Sequence, residues 1–135
     1  MQLSDSLQIS AAGMKAQGDR LRVVAENIAN SDSTGTSPGA EPYRRKQLVF
    51  QNVLDRQIGI QKVTVVKQTY DMSPYDLRYN PSHPAANEQG YVLYPNVNTI
   101  VEMMDMREAR RAYEANINAV EVSKAMLNQT IDLLR

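Results

Sequence analysis

The sequence has no cysteine and no tryptophan, a single histidine (His83) and a single phenylalanine (Phe50). Without cysteine there are no disulfides, no thiolate metal ligands and no cysteine nucleophile. One histidine cannot build a three-histidine metal centre. Net charge is missing too, because 15 basic residues balance 15 acidic ones. Nucleic-acid-binding domains ordinarily carry a basic excess or stripe, so this balance argues against nucleic acid as a partner. It also removes long-range repulsion between copies of the chain. No run approaches the ~20 apolar residues that span a bilayer. The opening MQLSDSLQISAAGMKAQGDR has neither a basic n-region nor a continuous apolar stretch, so an ordinary secretory signal is not expected.

What is present is strongest at the two ends. Apolar or small residues recur at alternating steps of four and three at Leu3, Leu7, Ala11, Met14, Gly18, Leu21, Ala25 and Ile28. That spacing predicts a helix with a coiled-coil stripe. Ser4, Asp5 and Ser6 are candidate N-caps. The helix is expected to stop at Asn30, where the run NSDSTGTSPGAEP holds almost no apolar residue. The same alternation returns at Met103, Met106, Arg110, Tyr113, Ile117, Val120, Lys124, Leu127, Ile131 and Leu134. Asn96 or Asn98 can cap this second helix, and no proline or glycine occurs from Val97 to Leu134. At 1.5 Å per residue it would run roughly 55 Å.

The middle differs in texture. It holds six of the seven tyrosines, between Tyr43 and Tyr94. The β-branched runs KQLVF (Lys46–Phe50) and IQKVTVVKQ (Ile60–Gln68) read as strands, with Asp76–Tyr79 and Tyr91–Tyr94 as shorter ones. YNPSHP and NEQG punctuate them as turns. The fold class expected is mainly α with a small β insertion, the long N- and C-terminal helices pairing as a coiled coil. The expected organisation is an N-terminal helix (1–30), a polar loop (31–45), a small β-rich insertion (46–95) and a long C-terminal helix (96–135).

Neither part is self-sufficient on this reading. About fifty residues with few large apolar side chains bury only a marginal core. Ala11, Gly18 and Ala25 add little buried area to the first helix, and Gly18 costs it up to ~1 kcal/mol relative to alanine. Such small residues do let another helix approach. Met104, Ala112, Ala119, Met126 and Leu133 widen the apolar face of the second helix beyond one partner. Further copies, or homologous neighbours, are expected to cover the rest.

The candidates for chemistry are weak. His83 sits between prolines with no clustered carboxylates, so it reads as a turn residue bonding locally rather than a metal ligand or general base. Arg107, Arg110 and Arg111 have Glu108 and Glu114 at helical ion-pair spacing, which accounts for them better than a phosphate contact does. Arg44, Arg45 and Lys46 read as a solvated basic patch. The glycines at 35 and 39 form no phosphate loop. Neither catalytic, cofactor-binding nor metal residues are expected, and no cofactor.

SAAGMKAQGDRLRVVAENIAN (Ser10 to Asn30) resembles the opening motif of the flagellar axial proteins, the rod, hook and hook-associated subunits, at Gln17, Arg20, Leu21, Asn27, Ala29 and Asn30. ARRAYEANINAVEVSKAMLNQTIDLL (Ala109 to Leu134) resembles their closing motif at Arg111, Ala112, Tyr113, Glu114, Ala115, Asn116, Met126 and Leu127. Between them, PYRRKQLVF and YNPSHPAANEQGYVLYPNVNTIVEMMDM are similar to proximal-rod subunits of the FlgC type. The polar loop after Ser33-Thr34-Gly35-Thr36 departs from the wider family's threonine-glycine-tyrosine turn and agrees with that type.

The resemblance implies a structural subunit and not an enzyme. Such subunits stack helically through their terminal helices into the proximal rod, transmit torque and wall the export channel. The implied partners are copies of itself, the rod proteins FlgB, FlgF, FliE and the distal FlgG, and the MS ring, with no nucleic acid and no membrane span. The implied location is the periplasmic rod of the basal body, reached through the flagellar type III apparatus. A stand-alone coiled-coil adaptor or type III secretion chaperone is the alternative.

Overall fold

The computed structural model describes residues 3–56 and 59–134. The elements run α1 (Leu3–Ala29), β1 (Lys46–Asp55), β2 (Ile60–Tyr70), β3 (Asp76–Tyr79), β4 (Tyr91–Tyr94) and α2 (Thr99–Leu133). Two long terminal helices therefore flank a small β middle. β1 and β2 pair in one two-stranded sheet, β3 and β4 in another. The four residues between β1 and β2 are too few for a parallel crossover, so that pair is antiparallel. β3 and β4 are antiparallel in the register Asp76 with Tyr94, Leu77 with Leu93, Arg78 with Val92 and Tyr79 with Tyr91. β1 runs five residues past Phe50, because Val53 and Leu54 resume the β-favouring pattern after Gln51 and Asn52.

The helix ends have local causes. α1 ends at Ala29, and Asn30 closes it by donating both its backbone N–H (3.1 Å) and its Nδ2 (2.8 Å) to the Glu26 carbonyl. At the start of α2 the Asn98 Oδ1 accepts from Ile100 N at 3.1 Å and Val101 N at 3.4 Å. Asn98 is thus the cap of that helix. Ser4, Asp5 and Ser6, expected as caps of α1, lie inside it instead. Gly90 is buried with φ of 81°, and a Cβ there would lie 2.8 Å from the Tyr79 ring, so the turn before β4 needs glycine.

The chain divides into two compact units that do not follow chain order. The first comprises Met1–Leu21, Leu48–Lys67 and Arg107–Arg135; the second comprises Arg22–Gln47 and Gln68–Met106. The β-rich middle is therefore shared between them.

In the first unit α1 and α2 run antiparallel, with polar pairs at both ends of their contact and a close approach between them. Ser6 Oγ and Ser123 Oγ lie 3.3 Å apart, and Arg20 pairs with Glu108 at 3.6 Å. Between these, a Cβ added to Gly13 would lie 2.9 Å from the Asn116 amide, so α2 approaches the bare backbone of α1. Ala16 and Ala109 are buried in this unit. In the second unit the buried apolar residues include Val23, Val24, Ala85, Val92 and Pro95. No apolar side chain larger than valine is buried among the described residues.

Gly13 and Gly18 separate helix propensity from packing. Nothing lies within 4 Å of a Cβ at Gly18, so Gly18→Ala should raise the free chain's stability by up to ~1 kcal/mol. Gly13→Leu should lower it by about 1–3 kcal/mol despite better propensity, by pushing Asn116 aside. Thermal unfolding followed by circular dichroism should show midpoints moving in opposite directions.

Candidate assembly interface

The most constrained side chains of the second unit are polar. Asn27 is 1% exposed on the last turns of α1. Its Nδ2 donates to the Lys46 carbonyl at 2.9 Å and to Glu102 Oε2 at 3.1 Å. Its Oδ1 accepts from Lys46 N at 2.9 Å and from the Tyr43 hydroxyl at 2.8 Å. Both amide protons and both carbonyl lone pairs are used, which is all the side chain can offer. One residue thereby joins the end of α1, the start of β1 and the first turns of α2.

Glu102 is completely buried on α2. A buried carboxylate is tolerated only when paired and hydrogen-bonded. Asn27 takes one oxygen, and Arg45 Nε donates to the other. Arg45 also pairs with Asp71 at 3.5 Å, and its backbone N–H donates to Asn96 Oδ1 at 2.9 Å. Asn96 Nδ2 in turn donates to the Asp71 carbonyl at 3.0 Å. Beside this set, Lys46 Nζ lies 2.8 Å from Glu26, which Arg22 also reaches at 2.9 Å.

These partners set the protonation of the group. The hydrogen bond from Lys46 holds the Glu26 carboxyl below its ordinary value of 4.5, against a smaller opposing effect of burial. The reciprocal bond raises Lys46. Asp71 is held below 3.8, first by the Ser73 backbone N–H, which donates at 2.9 Å, then by the Ser73 hydroxyl and Arg45. Burial raises the Tyr43 phenol above its ordinary range.

The basic run at residues 44–46 is thus no solvated patch. Arg44 lies 4.3 Å over the Tyr75 ring and donates to the Asp71 carbonyl, while Arg45 and Lys46 carry the ion pairs above. Sequence reasoning missed it because the acidic partners are remote in the chain. Glu102 was missed as well. Its one local signal is a lone acid inside the apolar run Ile100 to Met104.

The stripe residues are placed as follows. Leu3, Leu7, Met14, Gly18, Leu21 and Ile28 are half-buried on α1, and Ala11 and Ala25 are exposed. On α2, Met106, Tyr113, Ile117 and Val120 are half-buried; Met103, Leu127, Ile131 and Leu134 are exposed. The polar and close contacts seen between the helices join Ser6, Gly13 and Arg20 to Ser123, Asn116 and Glu108, at positions beside the stripe. From Lys124 to Leu134 every residue is exposed, with Ile131 at 54%. Leu3 and the last turns of α2 (Met126, Leu127, Leu133) line an open groove of about 540 Å³.

Among the motif residues, Asn27 holds the polar cluster and Asn30 ends α1. Asn116 lies against Gly13, and Arg20 pairs with Glu108. Glu114 pairs with Arg110 at 3.1 Å, at the expected spacing of four. Arg111 is exposed, and the buried Gln17 Oε1 finds no hydrogen-bond donor among the described residues. Among the described residues no charged side chain bonds to the His83 ring. Its Nδ1 accepts from Ala85 N at 3.1 Å and its Nε2 lies 3.3 Å from the Thr34 hydroxyl. Among the described residues no cluster of three metal-ligating side chains occurs, and no helix is long and apolar enough to cross a membrane.

Two predictions follow from the polar cluster. Asn27→Ala leaves one buried Glu102 oxygen without its donor and removes the bonds to Lys46 and Tyr43, and should cost about 3 kcal/mol, whereas Tyr43→Phe removes one bond and should cost about 1 kcal/mol. Urea denaturation of the two variants measures both. The depressed carboxyls of Glu26 and Asp71 mean that the folded state binds fewer protons in acid than the unfolded chain. The stability they add is complete above their unfolded values and is lost as pH falls through the lower folded ones. Stability should therefore fall below about pH 5, and less steeply in a Glu26→Gln, Asp71→Asn double variant.

The chain matches known proteins at both ends and throughout. Residues 7–35 match the family described as "Flagella basal body rod protein", and residues 88–133 match "Flagellar basal body rod FlgEFG protein C-terminal". The flagellar basal-body rod protein FlgC of Agrobacterium fabrum is 45% identical, over 98% of this chain and 96% of its own. The FlgC proteins of Borreliella burgdorferi and Escherichia coli O157:H7 are each 37% identical, covering 99% and 98% of those relatives. With such identity over nearly its whole length, the chain belongs to the FlgC family of flagellar basal-body rod proteins.

Proposed function

We propose that this structural subunit of the flagellar basal-body rod is held in place by the helix faces that its own fold leaves uncovered. The observation that carries the reading is the last ten residues of α2, a regular helix on which Met126, Leu127, Ile131 and Leu133 are all exposed. Uncovered apolar side chains in such a run mark a protein–protein contact. The stripes from Leu3 to Ile28 and from Met103 to Leu134 then act as coiled-coil seams, completed by neighbouring subunits as well as within the chain. The chain's work is structural, not catalytic.

On this reading the subunit sits in the proximal, periplasmic part of the rod. It stacks helically with copies of itself and with FlgB, FlgF, FliE and FlgG-type neighbours, transmits torque and walls the export channel. Entry through the flagellar type III apparatus fits a chain whose buried apolar residues, among those described, are no larger than valine. So thin a core is easily unfolded for threading and gains stability from its neighbours on assembly.

Immunodetection in detergent-extracted, density-purified basal bodies tests the placement. The chain should be retained in the rod fraction. A folded dimer confined to the soluble fraction would instead mark an adaptor or chaperone. Because Leu127 and Ile131 are exposed, Leu127→Asp or Ile131→Asp should change the free chain's stability by no more than about 0.5 kcal/mol. Either should nevertheless remove the protein from basal bodies and abolish swimming in soft agar. Normal motility of both variants would count against these positions as a contact.

A further inference from the structure

The second unit carries two apolar surfaces of different chemistry. Side chains alternate across a strand, so the register of β3 and β4 places Leu77, Tyr79, Tyr91 and Leu93 on one face of that ribbon. Leu77 and Tyr79 are 60% and 67% exposed, and the two tyrosine rings meet edge to face at 5.4 Å. On the opposite face Val92 of β4 is fully buried, while Asp76 and Arg78 of β3 are exposed. Next to the exposed face is a hollow of about 200 Å³, bounded also by Ala40, Ala85 and Asn87. That is below the usual range of small-molecule sites, ~300–1,000 Å³, and suits a side chain better than a ligand. The other surface is the start of α2, where Ile100, Met103 and Met104 are exposed while Glu102 between them is buried.

Charges accompany both surfaces. Glu41 and Glu88 follow Ala40 and Asn87 at the rim of the hollow, and both are exposed without an ion pair among the described residues. Arg107, one turn beyond Met103 and Met104 on the same helix, is likewise exposed and unpaired among them. A ribbon face meeting its own copy would set these carboxylates against each other, and a helix face meeting its own copy would oppose two arginines. Ribbon against helix sets acid against base. It also places thioethers against tyrosine rings, a favourable contact that flexible methionines adapt to.

We propose that the ribbon face Leu77, Tyr79, Tyr91 and Leu93 of one subunit receives Ile100, Met103 and Met104 of a neighbouring copy. The contact rests on the reading of the chain as a rod subunit and adds the surfaces by which copies meet. It is heterologous, since the two patches differ, and a repeated heterologous contact closes a ring or runs on as a helix. Met104 or Met103 fills the hollow, and Arg107 reaches Glu88 or Glu41.

The absence of native cysteine makes the contact directly testable. Full-length Leu77→Cys and Met104→Cys chains, differently tagged, are co-expressed in cells lacking the native copy, and purified basal bodies are oxidised. A disulfide joining one tag to the other is expected, with no such product from either variant alone. Both variants present in basal bodies without the mixed disulfide would overturn the contact while leaving the rod assignment intact. Absence of the wild-type chain from basal bodies would instead remove the assignment itself. Should the cysteine chains fail to assemble, charge exchange decides. Glu88→Arg and Arg107→Glu should each reduce incorporation at least severalfold and restore it when combined in one chain. Failure of the combination to restore it would overturn the pairing.

Discussion

A buried carboxylate sets the terms for the second unit. Glu102 has no access to water, so its two oxygens must be satisfied within the chain. Asn27 and Arg45 do this, and each is itself fixed by further partners: Asn27 by the backbone of Lys46 and the hydroxyl of Tyr43, Arg45 by Asp71 and Asn96. Segments far apart in sequence, around residues 27, 45, 71 and 102, are thereby held together by directional bonds rather than by apolar volume. With no buried apolar side chain larger than valine among the described residues, such bonds carry much of the specificity.

The same economy explains the surfaces. Large apolar side chains are plentiful, yet they lie outside: the ribbon tyrosines, the methionines at the start of α2 and the leucines and isoleucine at its end. In a self-contained domain this distribution would be a liability. In an assembling subunit it divides the labour: polar bonds and small residues specify the fold of one chain, and bulky residues remain for contacts between chains. The close helix approach at Gly13 and the paired serines at 6 and 123 belong to the first set; Leu127 and Ile131 belong to the second.

Much of this architecture was legible in the sequence. The helices, their ends at Asn30 and after Asn98, and all four strands follow from periodicity, β-branching and breakers, which act locally. What was not legible lay in long-range pairing. Arg45 looks like a solvated cation until Glu102, 57 residues away, is brought to it. Asn27 carries a motif signal, but its role depends on the Lys46 backbone. The stripes from Leu3 to Ile28 and from Met103 to Leu134 stand out because their mostly apolar residues recur at regular helical spacing. The pairs Ser6 with Ser123 and Arg20 with Glu108, and the approach of Asn116 to Gly13, leave no hydrophobic pattern to read.

The end of α2 is uncovered in the free chain and, as proposed, covered in the rod. Hydrogen exchange measured on the free chain and on purified basal bodies tests it most directly. Rapid exchange of the amides from residue 124 to 133 is expected in the free chain, and strong protection in the assembled rod. Equal exchange in the two states would contradict it.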